Sequence, residues 1–402
     1  MDVSLETRSI GVASGLRARR MSVWGAALHT TLLLAVAQLA CGDDAPVLVL
    51  ASISSGDGHT CGVAPDARAY CWGYNAFGQV GSSSVDPARA VPIAVPGAVA
   101  FTLADAGGLH SCGVSTGGIA YCWGNNAQGQ LGDLTLTDHA APAVVSGSLV
   151  FVSISAGLRH TCGVATGGAA YCWGSNDVGQ LGDGTAQTRA TPTPVVDVLS
   201  FTSISSGDAH TCGITTGGTA YCWGSNGDGQ LGDGGAALGR TRPNAVSGGL
   251  AFAAITAGGS HTCGITTGGG TYCWGRNGDG QLGTGTAVGA TTPVPVLGGL
   301  ALASVSAGYT HTCGVGADSV AYCWGANDFG QLGDGTTGLR SLPMAVSGGF
   351  RFATVSAGEV HTCAVRAGGI AVCWGANGNG QLGNGTAARS VEPVPVRPRS
   401  GS

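Results

Sequence analysis

The stretch "HTCGVATGGAAYCWG", residues 160–174, sets a histidine, two cysteines and a tryptophan around a Thr-Gly-Gly turn. Whether it reads as a metal site, a redox site or a staple depends on how often it occurs, because fixed-period self-similarity outranks any local motif. Its histidine recurs as His59, His110, His160, His210, His261, His311 and His361, a period of 50 or 51 residues. Each copy continues through Y-C-W-G-x-N-x-x-G-Q-L-G-D-G-T, with small changes, to a variable run and a proline-valine segment. A catalytic constellation is needed once, so a motif written seven times is architecture.

The cysteines follow the same period. Fifteen divide into seven C-x9-C pairs and one remainder, Cys41. The pairs are Cys61 with Cys71, Cys112 with Cys122, Cys162 with Cys172, Cys212 with Cys222, Cys263 with Cys273, Cys313 with Cys323, and Cys363 with Cys373. Gly167 is the midpoint of the third pair and lies inside the Thr-Gly-Gly turn. A hairpin about that turn therefore sets the cysteines opposite each other, at a cross-strand Cα distance of roughly 4.5–5.5 Å, which a disulfide tolerates. The same register puts Tyr171 across from Gly163; in the seventh copy both change together, to Val372 and Ala364. A zinc site fits poorly, since its cysteines usually stand two to four residues apart and no fourth ligand recurs. Asn226 to Gly234, "NGDGQLGDG", has the alternation of a calcium loop without its closing glutamate. No metal and no cofactor is expected.

Four short strand candidates separated by glycine and proline recur in every copy; in the third they lie near residues 151–155, 160–165, 169–174 and 193–198. Four strands per repeat, seven times, is the signature of an all-β, seven-bladed propeller with one hairpin disulfide per blade. The 74 glycines exclude an α-solenoid.

Upstream of the repeats, Arg17, Arg19 and Arg20 precede "MSVWGAALHTTLLLAVAQLA", an uncharged run with the form of an export signal. It ends in "QLACGDD", which resembles the lipobox of bacterial lipoproteins with Cys41 as the lipidated residue, although Gln38 stands where an aliphatic residue is usual. An ordinary cleaved signal and an uncleaved membrane anchor are the alternatives; each exports the rest of the chain, and paired cysteines suit an oxidising compartment. The organisation expected is a signal over 1–40, a tether over 41–50, a propeller over 51–398 and a tail over 399–402.

All 17 basic residues are arginine. The absence of lysine excludes P-loop, protein-kinase and Schiff-base chemistry. From Cys41 onward 13 arginines face 20 acids in a scattered pattern, so there is no basic footprint for nucleic acid. The two histidines outside the repeat, His29 and His139, fall in the signal and in an expected loop, which leaves no singular titratable cluster for an enzyme.

The runs A-G-x-x-H-T-C-G-V and Y-C-W-G-x-N-x-x-G-Q-L-G-D-G-T resemble the repeat of the regulator of chromosome condensation family, over about residues 52–396. The resemblance implies a seven-bladed propeller. The family's founder is a nuclear exchange factor for a small GTPase that uses an inserted β-wedge, for which these uniform repeats leave no room. In repeat type and compartment the chain also resembles secreted bacterial propellers that inhibit β-lactamases. That likeness implies a recognition face built from the two residues before each histidine and the one after W-G, positions that vary while their neighbours stay fixed. The expected face comprises Asp57, Tyr74, Leu109, Arg159, Asp208, Arg276, Tyr309 and Glu359. The function expected is a monomeric, non-catalytic binder of a protein partner on the cell envelope, held to a membrane by its N-terminal anchor. Alternatives are exchange-factor activity, or a glycan or small ligand held in the central channel.

Overall fold

A computed structural model describes residues 46–82 and 86–398; the signal, Cys41 and the tail lie outside these residues. Among the described residues twenty-eight strands form seven four-stranded antiparallel sheets, each sheet one repeat. The third blade consists of Phe151–Ala156, His160–Ala165, Ala170–Gly174 and Arg189–Pro194. First strands of successive blades touch one another around the ring, so the first strand is innermost.

The central hairpin has the register read from the sequence: Cys162 pairs with Cys172 and Gly163 with Tyr171, while in the last blade Ala364 pairs with Val372. All seven cysteine pairs are bonded, with Cα atoms 4.0–4.1 Å apart, somewhat closer than an average cross-strand pair. The glycine opposite the tyrosine is required by the inner strand as well. A Cβ on Gly163 would meet Phe151 Cδ1 at 2.7 Å, so the glycine makes room for the inner-strand phenylalanine, on whose ring Tyr171 packs edge-on.

The fourth strand sits earlier than expected. In the third blade it runs over Arg189–Pro194 rather than 193–198, pairing Gly174 with Arg189 and Tyr171 with Pro194. As the outermost strand it has a free edge, so prolines that cannot donate to a ladder are tolerated there. Asp197, with φ 75°, already belongs to the turn toward the next blade.

The core is a set of seven interfaces. In each, the disulfide of one blade packs against the inner-strand aromatic or leucine and the tryptophan of the next: Cys162 and Cys172 against Phe201, Ile204 and Trp223, for example. The seven tryptophans at these interfaces, from Trp72 to Trp374, are completely buried. The seam repeats this pattern, with Cys363 and Cys373 against Leu50 and Trp72. Leu48 and Leu50, from the segment read as a tether, are buried in that seam; their backbone N–H groups donate to Val396 and Gly369 carbonyls.

Candidate functional site

Beneath one end of the channel a chain of side-chain hydrogen bonds crosses every interface. His160 Nε2 lies 2.9 Å from Thr211 Oγ1 of the next blade, and Thr211 Oγ1 donates to the Gln180 carbonyl at 2.8 Å. Trp223 Nε1 donates to the same carbonyl at 3.0 Å. Because the threonine proton is directed at the carbonyl, its oxygen must accept from the histidine, which fixes the Nε2–H tautomer. Seven histidines make this contact, the last, His361, reaching Thr60 across the seam; in the second blade the acceptor is Ser111. Each Nδ1 is buried without a partner. Burial, reinforced for several rings by a neighbouring histidine, lowers six of the seven pKa values to about 3 and that of His210 to about 4, so the imidazoles are neutral. These ties join each blade to the next.

Above this girdle the chain turns through A-G-x-x-H. The first residue after each glycine donates its N–H to the glycine carbonyl of the next blade, from Asp57 to Gly107 at 3.3 Å round to Glu359 and Gly56 at 3.3 Å, closing a ring of seven backbone bonds. A Cβ on any of these glycines would collide with that carbonyl, which is why the position holds no side chain. A second ring lies on the inner strands: a Ser or Thr hydroxyl accepts from the backbone N–H of the next blade, as Ser205 does from Ala257 at 3.0 Å. Asp105 is the exception. It accepts from Ala156 N at 2.8 Å and from Ser54 Oγ at 2.6 Å, and its pKa is raised by burial against the opposing effect of these bonds. Nothing in the repeat pattern singled it out.

The rings enclose a funnel of about 80 Å³, lined by all seven blades. Of the expected face, Asp57, Asp208, Tyr309 and Glu359 line it. Leu109 and Arg159, one residue further on, do not, and Arg159 is exposed. The residue after W-G pairs with this second position: Tyr74 N donates to the Gly58 carbonyl and Arg276 N to that of Ser260, both at 2.8 Å. That W-G glycine must take φ near +100°, since a Cβ on Gly174 would meet the Arg159 carbonyl at 2.6 Å. In other blades the position after W-G is buried, as at Ser175, Ala326 and Ala376.

The lining holds three carboxylates and no basic residue. Burial, then repulsion by Asp208 and Glu359, pushes the Asp57 carboxyl up to about 8. Burial and Glu359 push Asp208 to about 7, and burial raises Glu359. These acids were expected on one face, but their meeting in a single funnel was not legible in the sequence, where they stand about 150 and 300 residues apart.

The glycine-rich loops on the outside use their acids internally. Asp233 accepts from Asn226, Gly235 N and Asn244, and pairs with Arg240 at 2.8 Å. Asp183 and Asp334 pair with Arg189 and Arg340 in the same way. His139 opens an outer strand, His139–Val144, rather than lying in a loop; it occupies this arginine position, 2.8 Å from Asp133.

Comparison with known proteins agrees with this geometry. The chain superposes on yeast Prp20p with a TM-score of 0.74 at 20% identity, covering 88% of each chain, and on human WBSCR16 at 0.73 and 18%, covering 81% of this chain and 88% of that one. Among curated relatives, the human probable E3 ubiquitin-protein ligase HERC3 is 38% identical over 82 residues, 20% of this chain and 8% of that protein. The Arabidopsis thaliana ultraviolet-B receptor UVR8 is 32% identical over 84 residues, 21% of this chain and 19% of that protein. The matched stretch is thus under a fifth of either relative's length. A regulator of chromosome condensation (RCC1) repeat matches residues 50–79 and the RCC1-like domain matches residues 104–401, and the chain belongs to the RCC1-like domain family.

Proposed function

We propose that this propeller is a non-catalytic protein-binding module, displayed outside the cytoplasm on the cell envelope and held there through its N-terminal segment. One observation carries the reading. Within each A-G-x-x-H turn the glycine and histidine are fixed by inter-blade bonds, while the two residues between them differ from blade to blade and the first of each pair lines one end of the channel. A rigid frame presenting non-equivalent side chains at one end is the form recognition surfaces take. Seven disulfides suit an oxidising compartment, and yeast Prp20p, whose fold it shares, binds Gsp1p and histones.

The test is affinity capture from the producer's envelope extract with the full-length, disulfide-bonded chain as bait. A second bait carries alanine at Asp57, Tyr74, Arg159, Arg276, Tyr309 and Glu359. A partner held by the first and lost from the second supports the reading; equal retention by both moves the interface elsewhere on the propeller. Absence of any protein partner transfers the function to glycans or small ligands in the channel.

A further inference from the structure

The funnel has a chemistry of its own. Asp57 and Glu359 stand on adjacent blades across the seam, and Asp208 projects from the fourth blade on the far side, so carboxylates flank the mouth from opposite directions. None of the three has a side-chain hydrogen bond or ion pair among the described residues. Ser55, beside them in the lining, is only 8% exposed, and its hydroxyl has no partner, whereas Ser206 at the equivalent position bonds the Ser155 carbonyl. Tyr309 supplies an aromatic wall: it lies over Gly259, where a Cβ would meet its ring at 2.8 Å, and it is 44% exposed. Half-desolvated carboxylates, an unsatisfied hydroxyl and an open tyrosine face are what an organic cation requires. Among the described residues no three acids, histidines or cysteines converge closely enough to chelate a metal.

We propose that the funnel is a receptor for a basic side chain, a guanidinium or ammonium carried on a protruding loop of the partner protein. The cation enters along the channel axis between Asp57 and Asp208, its apolar stem against Tyr309. The volume of about 80 Å³ admits the head group with some water, since one water needs only ~10–15 Å³. Insertion stabilises the ionised form of the three acids, which burial and mutual repulsion disfavour in the free protein. This inference rests on the protein-binding reading and specifies the chemistry of the partner.

The probe is N-acetyl-arginine amide, with N-acetyl-citrulline amide as its uncharged near-isostere, titrated by NMR into the full-length oxidised protein at about pH 9, where the carboxylates are ionised. The expected result is arginine binding that citrulline fails to match by about tenfold or more and that weakens with salt. Asp57→Asn with Asp208→Asn and Glu359→Gln should remove the preference, and Tyr309→Leu should weaken binding several-fold where Tyr309→Phe does not. The neutral variant is expected to fold, because it removes a repulsion; Asp208→Asn alone, expected to weaken binding in part, provides an independent arm. Equal binding of the two probes, or an unchanged preference in the neutral variant, overturns the proposal. If envelope capture still retains a partner on that variant, the binding module stands and the cation receptor alone falls.

Discussion

The two middle residues of each A-G-x-x-H turn and the two that bracket them lie within four residues of chain, yet they obey opposite rules. In the fourth blade Gly207 and His210 are buried and bonded to the preceding and the next blade respectively, whereas Asp208 and Ala209 between them are partly exposed, and Asp208 lines the funnel. The bracket tolerates one residue type because a Cβ or a lost imidazole breaks a bond to a neighbouring blade. The middle pair is restrained only through its backbone. The frame therefore carries stability and the rim carries identity, and this division can be broken by experiment.

Acid should break it most completely. The seven buried histidines have folded pKa values far below 6.5, so between about pH 6.5 and 3 the unfolded chain binds protons that the folded one refuses. Stability is then lost as pH falls, by up to about 1.4 kcal/mol per pH unit for each histidine. The three funnel acids act with the opposite sign, since their folded pKa values are raised, but three protons cannot balance seven. Cooperative unfolding well above pH 3, with a net uptake of several protons, is expected from denaturation followed across pH; a transition insensitive to pH between 6 and 4 would contradict the neutral girdle.

Gly207→Ala is the next largest. Its methyl group would collide with the Gly258 carbonyl and open the backbone ring at one interface, for an expected loss of about 3 kcal/mol or more. Asp208→Ala, one residue away, should leave the thermal midpoint at neutral pH unchanged or raised. Similar losses at both sites would erase the distinction between bracket and middle.

Thr211→Val sharpens the same comparison inside the frame. It removes the acceptor of His210's neighbour His160 and the donor to Gln180, leaving a buried N–H unpaired, at a cost of about 1–3 kcal/mol. Thr211→Ser should restore most of it, because Ser111 already performs both roles in the second blade, accepting from His59 and donating to Gln79. A serine variant as unstable as the valine one would point to the lost methyl rather than to the hydrogen bonds.

How much of this was legible follows the same division. Sevenfold repetition exposed the blade count, and the midpoint of C-x9-C fell on a turn whose glycines, Gly167 and Gly168, take positive φ, so the disulfides and their register could be read locally. The outer strand could not, because its prolines and the valines beyond it look alike without the partner strand. Histidine's role was half legible: its repetition argued for structure, but its acceptor lies 51 residues on, in the next blade. The funnel acids were named individually as rim residues. Their mutual proximity depends on ring closure, which brings Glu359 beside Asp57, and no local pattern records that.

The smallest effect isolates the rim itself. Above the unfolded carboxylate range the funnel acids release their protons less readily in the folded state than in the unfolded one, so they disfavour folding increasingly until pH passes about 8, and then no further. The histidines contribute nothing to this limb, because both states are neutral there. The stability maximum should therefore lie near pH 6.5, steep on the acid side and shallow on the alkaline side. Asp57→Asn should leave the thermal midpoint unchanged at pH 4 and raise it progressively with pH, by about 2 °C at pH 8, which steepens the acid limb slightly and leaves the proton uptake of the histidines in place. A gain at pH 4 as large as that at pH 8 would mean that Asp57 acts through the histidine girdle behind Gly56 rather than through its own charge, and rim and frame would then be one coupled unit rather than two.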